Sequence, residues 1–323
     1  MTHFNITAIG NAIVDVLAKV DETFISNNNL QKGGMTLIDE DQAEAIYSNM
    51  PPAIEKSGGS AANTVAGLVS LGGSAAFIGK VKNDQLGAIF THDLKSLGVH
   101  YTTTPSQNGL STARCLISVT SDAQRTMATF LGATKEITKN DIDEEIIENS
   151  QVIYLEGYLW DEQNAKDAMR EAVRLALKHG REIALSLSDS FCVTRHRTEF
   201  LELIKNSVDI VFANEAEVTE LFNNSNVIES AKELSKICKV AAITLGSQGS
   251  LIISDDGVYV IEAGKNLNVV DTTGAGDLYA SGFLFGYTQG YSLDECGRIA
   301  TIAASEIIQH MGARPEVSLA DLK

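Results

Sequence analysis

Seven consecutive residues, Asp271-Thr272-Thr273-Gly274-Ala275-Gly276-Asp277, have the types and spacing that phosphoryl chemistry requires. They follow an extended apolar stretch, Leu267-Asn268-Val269-Val270, and run into residues 278–285, which read as a buried helix. A strand, a glycine turn and a helix in that order leave unpaired N–H groups pointing at one spot, and that spot favours negative charge. Asp277 places a carboxylate in the first turn of the same helix. Together these are two parts of phosphoryl transfer to an alcohol. The N–H groups from Gly274, Ala275 and Gly276 receive the phosphoryl charge, and Asp277 takes the alcohol's proton. An acid that merely stabilises a helix start fits the seven residues equally well, so the other motifs have to decide.

Four further segments carry polar or glycine-rich chemistry at strand ends. Gly10-Asn11-Ala12-Ile13-Val14-Asp15 follows the first apolar strand, and Asp15 there accepts hydrogen bonds from substrate hydroxyls or caps a turn. Ser57-Gly58-Gly59-Ser60-Ala61-Ala62-Asn63 opens a helix; its paired glycines admit a ligand close to the backbone, and Asn63 offers both donor and acceptor. Asn214-Glu215-Ala216-Glu217 sits where a strand meets a helix; Glu217 there orders a magnesium ion through water or serves as a helix-start acid. Thr244-Leu245-Gly246-Ser247-Gln248-Gly249 admits a nucleotide or forms a hairpin turn. His196, between Arg195 and Arg197, reads as a solvated cluster rather than a base. The chain has no Walker lysine motif, no G-x-G-x-x-G after its first strand, no H-E-x-x-H and no G-x-S-x-G, so P-loop, dinucleotide, zincin and α/β-hydrolase readings lack support.

Positioning these motifs falls to an alternating succession of elements. Core strands are expected at 6–9, 75–79, 152–155, 183–187, 210–213 and 241–245. Helices are expected at 61–71, 86–97, 141–149, 165–179, 198–206, 215–223 and 229–238. Such alternation, with nearly continuous apolar strands, predicts an α/β fold: a three-layer, mainly parallel sheet covered by helices. Segments 14–20, 35–38, 99–104, 112–120 and 125–131 read as strands without intervening helices, with a hairpin turn at 121–124. They predict a small inserted β-sheet acting as a lid, or else an antiparallel extension of the main sheet. The expected division is a catalytic core of 1–14, 40–97 and 132–323, with a lid of 15–39 and 98–131.

The 323 residues suffice for a large core. Lys and Arg number 25 against 42 Asp and Glu, a formal charge of −17 with no basic tract, which argues against nucleic-acid or anionic-membrane partners. An acidic chain that binds an anion must do so through local donors. Cys115, Cys192, Cys238 and Cys296 are widely spaced and suggest reduced thiols. With neither a leader pattern nor a spanning apolar run, a cytoplasmic location is expected.

Gly10-Asn11…Asp15, Gly58-Gly59…Asn63, Asn214…Glu217 and Asp271…Asp277 together resemble the PfkB, or ribokinase-like, family of carbohydrate and nucleoside kinases, in order and spacing over nearly the whole chain. Ser186-Leu187-Ser188-Asp189-Ser190-Phe191, the segment from Ser121 to Arg125, and Gly157-Tyr158-Leu159-Trp160 look more like adenosine kinases than sugar kinases within it. Ser186 replaces a family Asn, and Leu159 stands where a second aromatic is usual. The resemblance implies in-line transfer of the γ-phosphoryl of ATP to a nucleoside 5′-hydroxyl, most simply adenosine to AMP in purine salvage. The alternatives are a sugar kinase for ribose, fructose or a ketosugar acid, and a non-catalytic nucleoside sensor. It implies Asp277 as base, the Gly274–Asp277 amides with Arg125 and Mg2+ on the phosphoryl group, and Asn11, Asp15, Gly58, Gly59 and Asn63 around ribose. Tyr158 and Phe191 would flank the base, and Asn214, Thr244, Gly246, Gly249 and Thr273 would face ATP, with base contacts near 303–310. Potassium near Asp271 and Thr273, as in some relatives, and a monomer or homodimer are left open. At a helix N-terminus Asp277 is expected to stay ionised as a weak base.

Overall fold

The computed structural model describes residues 3–122 and 124–323; Met1, Thr2 and Ala123, the last of these in the expected 121–124 turn, lie outside the described residues. The first half runs β1 (Phe4–Ile9), β2 (Ile13–Lys19), α1 (Glu22–Asn27), β3 (Met35–Leu37), α2 (Glu40–Asn49), β4 (Ile54–Gly58), α3 (Ser60–Ser70), β5 (Ala75–Ile78), α4 (Gln85–Ser96), β6 (Ala113–Val119) and β7 (Arg125–Phe130). After a 3-10 turn at Gly132–Glu136 come α5 (Glu144–Glu148), β8 (Ser150–Glu156), α6 (Gln163–Lys178), β9 (Glu182–Ser186), α7 (Ser190–Ser207), β10 (Ile210–Asn214) and α8 (Glu215–Phe222). The chain ends with α9 (Val227–Ser235), β11 (Val240–Thr244), β12 (Ser250–Ser254), β13 (Gly257–Ile261), α10 (Ala275–Thr288) and α11 (Leu293–Ile307).

The large sheet has eight strands in the order β13-β12-β11-β10-β9-β8-β1-β5. Strands β5, β1, β8, β9, β10 and β11 run parallel, and β12 and β13 close one edge as an antiparallel hairpin. The parallel strands are apolar almost throughout because helices cover both faces. Leu68 of α3, Phe90 of α4, Phe283 of α10 and Ala303 of α11 fill one side, while Met169, Phe200, Leu221 and Leu234 of α6 to α9 fill the other. Helix α10 is apolar all round and correspondingly sunk between α3 and α11. The carboxyl ends of β1, β8, β9, β10 and β11 all open on the same cavity, the place where open α/β sheets bind ligands.

The second sheet is separate and five-stranded, in the order β3-β7-β6-β2-β4. Strand β2 alternates: Val14 and Val16 point into the core, whereas Ile13 and Asp15 face the cavity beside Met35, Leu37, Cys115 and Met127. The chain passes between the sheets at residues 10–12, at Gly59, between α4 and β6, and between β7 and α5.

Several expectations need correction. Residues 99–104 form no strand of the small sheet. His100 and Ser106 instead make isolated bridges to Ala76 and Lys82, because buried Val99 and Tyr101 pack against Phe77 and Phe90. Strand β4 belongs to the small sheet, pairing antiparallel with β2, although it falls in the stretch 40–97 expected in the core. Its polar composition hides it. Helix 141–149 is a 3-10 turn plus the short α5, and helix 198–206 extends back to Ser190 through a non-helical His196. Asp161 holds both Arg195 and His196, at 2.7 Å from each. The cysteines are unpaired. Among the described residues no helix is long and apolar enough to cross a membrane.

Candidate active site

A cavity of about 710 Å³ lies between the large sheet's carboxyl edge and the small sheet. At its floor Gly274, in the left-handed region at φ 79°, turns the chain into α10, and Asp277 stands in that helix's first turn. Two side chains from α3 hold it: Ser60 Oγ donates to Asp277 Oδ1 at 2.6 Å, and Asn63 Nδ2 donates to Oδ2 at 2.9 Å. Burial raises the Asp277 carboxyl above its ordinary range, against the pull of those two hydrogen bonds and the nearby Arg314 charge. The helix terminus was expected to keep it a weak base. Desolvation works against that effect, toward a stronger base. The Asn63 Oδ1 atom is buried without a partner, an acceptor free for a hydroxyl donor.

The acceptor-side residues converge. Asn11, Asp15, Gly59 and Asn63 line the cavity, whereas Gly58 stands outside its lining, paired with Ile13. A Cβ on Gly58 would lie 2.4 Å from Asp15 Oδ2, and one on Gly59, at φ +91°, would lie 2.3 Å from the Asn11 carbonyl oxygen. Both glycines are therefore needed for strand β4 to lie against the Asn11–Asp15 segment. Burial pushes the Asp15 carboxyl up to about 6, with Arg125 and Arg314 opposing.

Glu156, which the sequence reading passed over, ties this corner together. It accepts from Asn11 Nδ2 at 2.6 Å, from Asn11 N at 3.3 Å and from Ala61 N at 2.9 Å, and it is 1% exposed. Burial pushes it up to about 7. An acid ending an apolar strand just before Gly157 was the available signal. Ser60, also unremarked, had none beyond its place at a helix start.

Farther along, Tyr158 and Phe191 line the same cavity, Phe191 being 75% exposed. Tyr158 Oη donates to the Ser188 carbonyl at 3.2 Å, and Ser188 adopts φ 71°. Trp160 is not at the site: it is buried behind the sheet, with Nε1 donating to Glu199 at 3.0 Å.

Asn214, Glu217, Thr244 and Thr273 also line the cavity, whereas Gly246, Gly249 and the 303–310 segment stand outside its lining. Gly249 serves the β11–β12 hairpin, where a Cβ would strike the Ile261 carbonyl at 2.0 Å. Asn214 and Glu217 form a reciprocal cap: Glu217 accepts from Asn214 N at 2.9 Å and Nδ2 at 2.7 Å, and Asn214 Oδ1 accepts from Glu217 N at 2.9 Å. Burial pushes Glu217 up to about 7.

Arg125, reaching across from β7, does not point at open cavity. It pairs with Asp271 and lies 2.5 Å from Thr273 Oγ1. Burial would raise the Asp271 carboxyl, but donors from Gly312 N, Thr273 and Arg125 outweigh it and hold the group below the usual range. Asp271 and Thr273, the two residues left open for potassium, are thus joined to each other and to Arg125. Among the described residues no trio of His, Cys, Asp or Glu gathers to hold a metal.

The chain matches the pfkB family carbohydrate kinase model over residues 40–319. A structure described as adenosine kinase from Sinorhizobium meliloti is 51% identical, with a TM-score of 0.92, over 99% of this chain and 98% of that one. A probable sugar kinase protein from Rhizobium etli is 47% identical, with a TM-score of 0.93, over 100% and 98%. A 5-dehydro-2-deoxygluconokinase of Geobacillus kaustophilus is 28% identical over 78% of each chain. With the family model matched over most of the chain and the fold shared with these kinases from end to end, the chain belongs to the pfkB family of carbohydrate kinases and is a phosphotransferase acting on a hydroxyl group.

Proposed function

We propose that this kinase transfers the γ-phosphoryl group of ATP to the 5′-hydroxyl of a nucleoside, adenosine first among them. One observation carries the reading. Asp277 and the polar corner of Asn11, Asp15 and Asn63 share one cavity with Tyr158 and an exposed Phe191, two aromatic side chains suited to flanking a base that a simple sugar lacks. The Sinorhizobium relative, named an adenosine kinase, agrees. Asp277, raised by burial, accepts the hydroxyl proton as the bond to phosphorus forms. The Gly274–Asp277 N–H groups meet the charge developing on the phosphoryl group. Arg125 reaches that group once released from Asp271, and the small sheet closes to exclude water.

Magnesium fits as an outer-shell ion: Glu217, its oxygens already accepting from Asn214, would hold it through water, and its charge would offset that of the phosphates. A sugar kinase is the second reading, favoured by the Rhizobium relative's description and by the dense carboxylate and amide set around Asn11.

ADP release measured across adenosine, inosine, ribose and fructose separates the two. Turnover on fructose with none on any nucleoside overturns the first reading. Asp277→Asn should leave nucleoside binding nearly intact and lower turnover roughly a hundred- to ten-thousand-fold. Undiminished turnover removes the assignment of the base.

A further inference from the structure

Arg314 follows α11, and all three of its guanidinium nitrogens are buried without a hydrogen-bond partner. The segment before it is fastened to the anion loop at two adjacent points. Gly312 N donates to Asp271 at 3.0 Å, and a Cβ on Gly274 would lie 2.9 Å from the Ala313 Cβ. Arg314 is thereby carried to the start of α10. Three carboxylates come within its electrostatic reach: Asp15 of β2, Asp93 of α4 and Asp277 of α10. Asp93 accepts from Ser57 N at 2.9 Å, and Asp277 accepts from Ser60 and Asn63. A guanidinium sealed away from water with no direct partner is costly unless surrounding negative charge offsets it.

We propose that Arg314 is a positioning residue of the site, its buried positive charge balancing Asp15 and Asp277 so that an acceptor-binding carboxylate and the base can stand charged in one cleft. The inference rests on the reading of Asp277 as the base. Two carboxylates desolvated together disfavour each other's charge. Ser60 and Asn63 touch Asp277, and its charge is felt by Asp15 from β2, Tyr154 and Glu156 from β8, Tyr158 just beyond it and Glu217 from α8. All are neutral or acidic, and Arg314 is the cation that opposes them. Arg125 faces Asp15 but is itself paired with Asp271.

The full chain carrying Arg314→Gln or Arg314→Lys tests this. In profiles of kcat/KM against pH, with ATP and whichever acceptor turns over, Arg314→Gln should move the acid limb upward by about one pH unit. Arg314→Lys should return it to within about 0.3 unit. A uniform loss of activity with the limb in place indicates packing alone and overturns the proposal. Urea midpoints at about pH 5.5 and about pH 8 give an arm that needs no turnover. The stability deficit of Arg314→Gln should shrink at the lower pH, where the two carboxylates take up protons, and a deficit equal at both pH values overturns the proposal. Absence of turnover on every alcohol would remove the role of Asp277 as base while the urea comparison still decides the charge balance.

Discussion

Two glycines of the anion loop look alike in sequence and differ in what they do. Gly274 has a left-handed backbone and Ala313 pressed against it, so the fold itself requires a glycine there. A Cβ on Gly276 would meet nothing within 4 Å, and its backbone is one any residue adopts. Its bareness is therefore of use to a ligand rather than to the chain. Gly276→Ala should leave stability within about 0.5 kcal/mol of wild type, since Ala favours a helix. The same change should lower turnover at least about tenfold by obstructing the phosphoryl group. Thermal unfolding paired with steady-state kinetics checks the two halves together. The sequence showed Asp277 and this loop clearly because their spacing is local. It did not show that Ser60 and Asn63, more than two hundred positions away, would both grip Asp277, nor that Glu156 would join Asn11 to α3. Those contacts exist only once β1, β8 and α3 lie side by side.

At the scale of elements, α10 decides where the loop sits, and small residues decide where α10 sits. Gly282 faces the α11 backbone so closely that a Cβ would lie 2.6 Å from Ala300 Cα. Ser281 occupies the space above Gly67 of α3 in the same way. Gly282→Ala should therefore cost about 1–3 kcal/mol by overpacking against backbone that cannot yield, in contrast to Gly276→Ala on the same helix. Urea denaturation distinguishes them. The parallel strands and their helices were legible because an element buried on one or both faces keeps a strict apolar period. The segments that escaped were those lacking one: β4 is largely polar, and α2, with two buried residues, shows chiefly in its Asp39–Gln42 capping box. The β12–β13 hairpin turns at Asp255-Asp256, with Gly257 already paired to Ser254. Residues 99–104 misled in the other direction, their apolar side chains anchoring a loop instead of a strand.

Over the whole molecule, the carboxylates raised by burial give stability a pH dependence. Asp15, pushed up to about 6, and Glu156 and Glu217, each pushed up to about 7, hold protons in the folded chain that they release when unfolded. Their favourable contribution is present in full below the ordinary carboxylate range and is lost as pH rises through about 6 to 7. Asp15→Asn should accordingly stabilise the protein at about pH 8 by up to about 2–3 kcal/mol and have little effect near about pH 4. Urea midpoints across pH would show it, and the gain would come with weaker acceptor binding. The path of the chain between the two sheets has a mechanical corollary. Two of its crossings, at residues 10–12 and at Gly59, carry the cavity-lining residues Asn11 and Gly59. Any rotation of the small sheet against the large one therefore bends backbone that lines the cavity. A rotation about the β2–β4 edge would carry β3, at the far edge of the sheet, through the longest arc.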